Sequence, residues 1–517
     1  MPHAGPLLEK PLQLSDLLQV GLKGRSGDPA LMSLEAVMSW AELEESSSRL
    51  AANYLALGLK PGDRVASLMP NRVALIVHYI ACFKAGLVLT PLNYRYTPPE
   101  INHALDVSDA KIILSHAERA EDIAASKASS LPLGVIWYGA EESKQPSIES
   151  LIEAEPKDPA LPRIDPKTPA AIFFTSGSTG PAKGVTHTRE SLGWMFASAV
   201  QGFEVTSNDV VLPGSSCTHI GGFTFGMSAL SAGARLVIAR GFDHEEIGPL
   251  LRTTRPTLLS MLPTALLHLI REHDMTPADF TSLRLARSGG DKVSAELEKE
   301  FMALTGKTVS EGYGMTEFGL AALNPPMGVD KLGSIGLPGP GFVFSIRDED
   351  GAELPLGSPG RLWVRTPTQC AGYWNDVEAS AEVLNAGWFD TGDEMKLDED
   401  GYSWFCGRRK QIIVHDGSNI SPQEVEDALL AHEAVELAGV VGVIDESHGE
   451  NVRAYVEIKA GAEQPKAGEL IKFAKERVGY KAPEEIVFID KMPLNPTGKV
   501  DRVSLKKIAA AEHGHHV

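Results

Sequence analysis

Between residues 40 and 57 the apolar positions Leu43, Leu50, Tyr54 and Leu57 recur at helical spacing, which predicts an amphipathic helix. Lys60-Pro61-Gly62-Asp63 then punctuates the chain as a turn, and the run from Arg64 to Leu68 predicts a short strand. The alternation continues with a helix near 75–84, a strand at 87–90, a helix near 98–107 and a strand at 111–114. Further strands are predicted at 170–175, 210–212, 235–238, 258–261 and 283–288. This β-α-β-α rhythm specifies a largely parallel sheet covered by helices. From about 334 to 364 short strands replace it, with Gly339-Pro340-Gly341 and Asp350-Gly351 as turn signals. Beyond residue 411 a small α/β unit follows, with helices at 422–430 and 467–478 and strands at 436–443 and 453–458. The expected fold class is α/β: a large N-terminal domain of layered α/β subdomains plus a β-rich subdomain, then a small C-terminal α+β domain.

Length and composition narrow the function classes. The 517 residues amount to about 3.4 units of a typical ~150-residue domain. The formal net charge is −20, a surface that repels nucleic acid and anionic lipid alike. Four cysteines (Cys82, Cys217, Cys370, Cys406) include no C-x-x-C pair, so neither a disulfide framework nor a cysteine-rich zinc site is expected. The first ten residues lack the basic-then-apolar pattern of a signal peptide. The most apolar stretch, 73–92, is interrupted by His78, Lys84, Gly86 and Pro91, and is expected to be a buried helix and strand rather than a membrane span. A cytoplasmic-type compartment is the expectation, and a homodimer is compatible with it.

The most informative segment runs from Ile172 to Val185, a short apolar strand leading into a Ser/Thr/Gly loop and one lysine. Glycines allow close backbone approach to an anion, and the hydroxyls of Thr175, Ser176, Ser178 and Thr179 add donors. Lys183 adds a point charge. Composition alone leaves a polyphosphate cradle and a polar surface loop equally open. The phosphate-loop pattern G-x-x-x-x-G-K-[ST] is not met, because Ala182 precedes the lysine and Gly184 follows it. Neither G-x-G-x-x-G nor G-x-S-x-G occurs, which disfavours dinucleotide binding and an α/β-hydrolase elbow.

Several segments together resemble the adenylate-forming superfamily, which includes acyl-CoA synthetases, adenylation domains of peptide synthetases and beetle luciferases. Thr175-Ser-Gly-Ser-Thr-Gly-Pro-Ala-Lys-Gly184 looks like its signature loop, and Glu311-Gly-Tyr-Gly-Met-Thr-Glu317 like its second core motif. Trp388-Phe-Asp-Thr-Gly-Asp393, Asp400-Gly-Tyr402 and Gly407-Arg408-Arg409-Lys410 resemble the motifs before its hinge. Pro496-Thr-Gly-Lys499 resembles its C-terminal lysine motif, and Pro61–Val65 and Pro91–Thr97 its N-terminal blocks. The matches fall in family order from about residue 40 to 505.

The resemblance implies a two-step reaction in which a carboxylate attacks the α-phosphate of Mg-ATP and a thiol, usually that of coenzyme A, then displaces AMP. It assigns Thr175, Ser176, Gly177, Ser178, Thr179, Gly180 and Lys183 to the phosphates, and Thr316 and Glu317 to the α-phosphate and Mg²⁺. Glu311, Gly312, Tyr313 and Gly314, with Gly289 and Gly290, would form the adenine site; Asp393 and Arg408 would take the ribose. Lys499 would meet the reacting carboxylate. Lys410 falls at the hinge between an N-terminal domain (1–407) and a mobile C-terminal domain (411–517), the hinge spanning 408–410. Gly417 would lie on the loop facing CoA. Asp416-Gly417-Ser418-Asn419 departs from the family's Lys-Gly-Phe, and Gly407 stands where an Asp usually precedes the hinge Arg.

Pro213–Gly222 resembles the block lining the acyl and thiol route, with His219 as the matching residue. Thr218, Gly221, Gly222, Gly314, Leu320 and Ala321 are the expected acyl-pocket residues. Their small walls suit a fatty or bulky/aromatic monocarboxylic acid better than acetate. No Arg or Lys lies in these stretches to pair a second carboxylate, although Arg284 and Arg287 lie nearby in sequence. The competing expectation is a stand-alone adenylation enzyme that loads a carrier protein. The histidines of the tail, His513, His515 and His516, are expected to be a solvated end rather than a metal site.

Overall fold

The structure, a computed structural model, describes residues 10–513 apart from 141–145, 176–181, 273, 291, 292, 294, 327, 409, 410, 412, 416, 417, 446–448, 496 and 497. The chain divides into two compact units: 1–293 with 297–344 and 363–390, and 294–296 with 345–362 and 391–517.

The predicted helices and strands form where the pattern placed them. Residues 40–57 give the helix Trp40–Ala56, started by a capping box in which Glu42 N–H donates to Ser39 Oγ (3.3 Å) and Ser39 N–H to Glu42 Oε2 (2.7 Å). The apolar stretch 73–92 becomes the helix Val73–Ala85 and the strand Val88–Pro91. Gly86 ends the helix at a left-handed φ of 75°, a conformation a side chain would strain. No helix among the described residues is long and apolar enough to cross a membrane.

In the first unit two sheets enclose a layer of helices. One runs in the order Gly372–Tyr373, Lys183–Thr188, Pro169–Thr175, Val88–Pro91, Arg64–Leu68, Ile112–His116, Val135–Tyr138. It is parallel except for the two pairings of Lys183–Thr188. The other is centred on the parallel strands Arg235–Val237, Val210–Gly214, Leu258–Met261, Leu285–Gly289 and Val309–Met315, with Gly319–Leu323 antiparallel beyond them. Trp40, Tyr54, Tyr79, Phe83, Phe196 and Phe223 of the intervening helices pack with Val65 and Phe173 of one sheet and Leu236 of the other. Separate clusters cover the outer faces. Burial of this many large side chains, each contributing roughly 1.5–3 kcal/mol, fixes the strand ends from which the site is built.

In the second unit, Val435–Asp445 and Gly449–Ile458 form a long antiparallel pair, joined in parallel by Glu485–Phe488 and covered by Pro422–Leu430 and Ala467–Val478. The Asp393 and Arg408 strands also belong to it.

Candidate active site

Pairing of Pro169–Thr175 with Lys183–Thr188 sets Thr175 opposite Lys183, at the two ends of the Ser/Thr/Gly loop. Ser176, Gly177, Ser178, Thr179 and Gly180 lie outside the described residues, as do Lys410 and Gly417. The two-residue strand Gly372–Tyr373 pairs with Val185 and Thr186 and so carries Tyr373 to the lysine. Lys183 Nζ sits 5.0 Å from the Tyr373 ring centroid, a cation–π distance.

The Tyr373 hydroxyl donates a 3.0 Å hydrogen bond to Glu317 Oε1. Burial, followed by the negative charge of Glu317, raises the tyrosine pKa well above its ordinary value, so it keeps its proton at neutral pH. Glu317 is 5% exposed and its carbonyl accepts from the Cys370 N–H at 2.7 Å. Thr316 is anchored by its carbonyl, which accepts from His187 Nε2 at 2.7 Å. Burial pushes His187 down to about 4, so it stays neutral while donating. Glu317 lies between the strands Val309–Met315 and Gly319–Leu323, where Gly319 turns the chain at φ 76°.

The glycines of the second core motif make room rather than turns. A Cβ on Gly289 would stand 2.9 Å from the Gly312 carbonyl, and one on Gly314 2.4 Å from the Gly319 carbonyl. Only bare backbone fits at these strand ends, leaving a flat floor beside Tyr313. Gly290 has φ 88°. Glu311 is buried, and its Oε1 accepts from Val293 N–H at 3.4 Å.

His219 precedes the helix Ile220–Ser231 and pairs through Nε2 with Asn93 Nδ2 at 3.3 Å, linking it to the segment after Val88–Pro91. Thr218 is buried and shares a 2.8 Å hydrogen bond with the Ser216 hydroxyl. Gly222 could not carry a Cβ, which would meet the Ser216 carbonyl at 2.5 Å, whereas Gly221 faces open space. Leu320 stands opposite Gly314 and packs on the cluster containing Phe203, Phe225 and Leu323; Ala321 is fully buried.

In the second unit, Asp393 pairs with Arg408 in strand register, and Arg408 Nε donates to Asp393 Oδ1 at 2.8 Å. Asp393 borders a cavity of about 190 Å³ that Arg347 and Arg361 also line. Lys499 sits in a tight turn in which Asn495 N–H donates to the Lys499 carbonyl (2.7 Å) and Lys499 N–H to Asn495 Oδ1 (3.1 Å). Sequence reasoning missed Tyr373 and His187. Neither stands in a motif, and each reaches the site only through strand pairing.

The chain matches the family model "AMP-binding enzyme" over residues 18–374 and "AMP-binding enzyme C-terminal domain" over 424–499. It is 33% identical to a feruloyl-CoA synthase from Amycolatopsis, covering 90% of this chain and 92% of that one. It is also 33% identical to a fatty acid–[acyl-carrier-protein] ligase from Streptomyces coeruleorubidus, over 92% and 93% of the two chains. Among solved structures, ATP-bound MatB from Rhodopseudomonas palustris superposes with a TM-score of 0.89 at 29% identity, covering 96% of this chain and 99% of that one. The chain belongs to the AMP-binding enzyme family, within the adenylate-forming superfamily and on its acyl-CoA synthetase side.

Proposed function

We propose that the protein is an ATP-dependent carboxylic acid:CoA ligase that works through an acyl-adenylate. The arrangement Lys183–Tyr373–Glu317 supports this reading, because a cation and a carboxylate held by one tyrosine lie at the end of the Ser/Thr/Gly loop, as phosphate binding would need. In the first half-reaction a carboxylate oxygen attacks the α-phosphorus and the bond to pyrophosphate breaks. Lys183 offsets the charge that develops on the departing pyrophosphate. Tyr373 holds the Glu317 carboxylate in one orientation. By the family's motifs, Tyr313 and the backbone at Gly289 and Gly290 accept the flat adenine, and Asp393 with Arg408 takes the ribose hydroxyls. Lys499, by its motif, reduces repulsion between the carboxylate and the α-phosphate. In the second half-reaction the CoA sulfur bonds to the acyl carbon, and AMP leaves with the electrons of the broken C–O bond. His219 and Gly221 stand on the acyl and thiol route.

A buried carboxylate held by a neutral donor suits a hard divalent cation shared with substrate phosphates, so Glu317 is the residue that would hold Mg²⁺. When bound, the ion would neutralise phosphate charge. We assign residues 1–407 to the adenylation domain, 408–410 to a hinge and 411–517 to a domain that moves between half-reactions. The acid is fatty or bulky/aromatic, in keeping with the small walls at Gly221, Gly222 and Gly314. Carrier-protein loading is the second reading, favoured by the similarity to an acyl-carrier-protein ligase. A pyrophosphate-release screen over short, medium, long and aromatic acids, with and without CoA, tests both. Acid-dependent release with acyl-CoA product supports the first, release without it supports the second, and no release with any acid rejects the ligase reading.

A further inference from the structure

The sheet face that carries Gly314 and Leu320, two of the expected acyl-pocket residues, also carries an arginine with no acid beside it among the described residues. Parallel pairing sets Arg287 opposite Ser310 and Gly289 opposite Gly312. Side chains alternate along a strand, so 287, 289, 310 and 312 share one face while Ser288 and Glu311 share the other. The two cores agree: Leu285 and Leu323 pack with Phe203 and Phe225 on the first face, and Ala286 and Val309 pack in the separate cluster on the second. Leu320, opposite Gly314, packs on the Phe203 side.

The Arg287 guanidinium lies over the Phe203 ring, 5.0 Å from its centroid. It occupies space that Gly312 and Gly289 leave clear, since a Cβ there would stand 2.8 Å and 3.4 Å from Arg287 Nη2. Its Nε is buried without a hydrogen-bond partner. Burial alone, with no acidic neighbour to offset it, pushes the pKa down to about 10, so the group remains charged at neutral pH. Arg284, three residues earlier, shows what a structural arginine looks like here. It grips both carboxylate oxygens of Asp209 (2.8 and 3.0 Å) and donates to the Phe203 and Glu204 carbonyls. Arg284 is held by these partners within the fold, whereas no described residue hydrogen-bonds Arg287 Nε.

A charged donor in apolar surroundings is retained at a cost unless an acceptor arrives. We propose that Arg287 is a specificity-determining residue of the acyl pocket, selecting acids whose far end carries an oxygen acceptor over acids of equal length ending in hydrocarbon. This rests on the ligase reading. A hydrocarbon end would strip water from the guanidinium and return nothing. An oxygen at the partly exposed edge of the guanidinium returns a hydrogen bond in place of the lost water, and an anionic oxygen also offsets the charge. Sites built around such a donor reject the analogue that lacks the acceptor far more strongly than apolar pockets discriminate by size.

The test measures kcat/KM for acid-dependent pyrophosphate release with length-matched acids: cinnamate against 4-hydroxycinnamate, and octanoate against 8-hydroxyoctanoate and octanedioate. The last separates a charged acceptor from a neutral one. Wild type is expected to favour an oxygen-bearing acid over its hydrocarbon partner by about 10⁴-fold. Arg287→Met is expected to abolish most of that preference while retaining the hydrocarbon acid, and Arg287→Lys to keep part of it. Arg287→Gln replaces the methionine variant if that one fails to fold. Equal use of both members by wild type, or an unchanged preference in the neutral variant, overturns the inference. If no acid releases pyrophosphate, the ligase reading fails separately. The same pairs are then compared by equilibrium binding to wild type and variant, where a preference lost in the variant supports the inference and equal affinities overturn it.

Discussion

The Tyr373 hydroxyl and the Glu317 carboxylate, 56 residues apart in the chain, meet in a 3.0 Å hydrogen bond. A hydrogen bond to a charged group contributes about 1.5–3 kcal/mol. Tyr373→Phe keeps the ring beneath Lys183 and removes only the donor. Pyrophosphate release is expected to fall about tenfold or more, with the loss in the ATP and Mg²⁺ dependence rather than in the acid KM. Unchanged ATP and Mg²⁺ dependence would show that the hydroxyl does not orient Glu317.

Lys499→Ala is expected to reduce adenylate formation about 10²–10³-fold, the range typical for removing one transition-state charge partner. Thioester formation from supplied acyl-adenylate should survive. Lys410→Pro should do the reverse, because a proline fixes φ at the proposed hinge. Single-turnover assays of the separate half-reactions distinguish the two, and equal losses in both would remove the hinge assignment.

Two fully buried histidines make stability depend on pH. Burial holds His78 at about 3 and His187 at about 4, whereas the unfolded chain titrates near 6.5. Between those values the unfolded state binds more protons, so stability rises with pH there and is lost as pH falls below about 6.5. At pH 5 each histidine costs roughly 2 kcal/mol relative to pH 7.5. Denaturant titrations at the two pH values should show this slope. His78→Gln, which can still pair with the Tyr54 hydroxyl that lies 2.8 Å from His78 Nδ1, should flatten it by about half. An unaltered slope would mean that His78 charges within the fold.

Arg284→Met should behave unlike any change at Arg287. It leaves the buried Asp209 carboxylate with only Thr257 and the Thr206 backbone and hydroxyl as partners. A stability loss of about 2 kcal/mol is expected, with acid selectivity unchanged. A shift in selectivity would place Arg284 in the pocket as well.

The family was legible because its motifs are contiguous: the loop at 175–184, the 311–317 segment and Pro-Thr-Gly-Lys499 can each be matched from local spacing alone. Helices such as Pro422–Leu430 and Ala467–Val478 were legible from apolar period alone. Tyr373 was not, because a two-residue strand has no period and its place depends on pairing with Val185, 188 residues earlier. Arg284 and Arg287 look alike in sequence. They differ because strand order brings Asp209 to one and a phenyl ring to the other.

The proposed reaction turns on an acyl-adenylate handed to CoA. Incubating the protein with ATP, Mg²⁺ and an accepted acid, then separating products by mass before and after CoA is added, tests it most directly. Acyl-AMP with an equal amount of pyrophosphate is expected before CoA, and its conversion to acyl-CoA and AMP afterwards. ADP and phosphate in place of AMP and pyrophosphate, or acyl-CoA formed with no acyl-AMP, would contradict it.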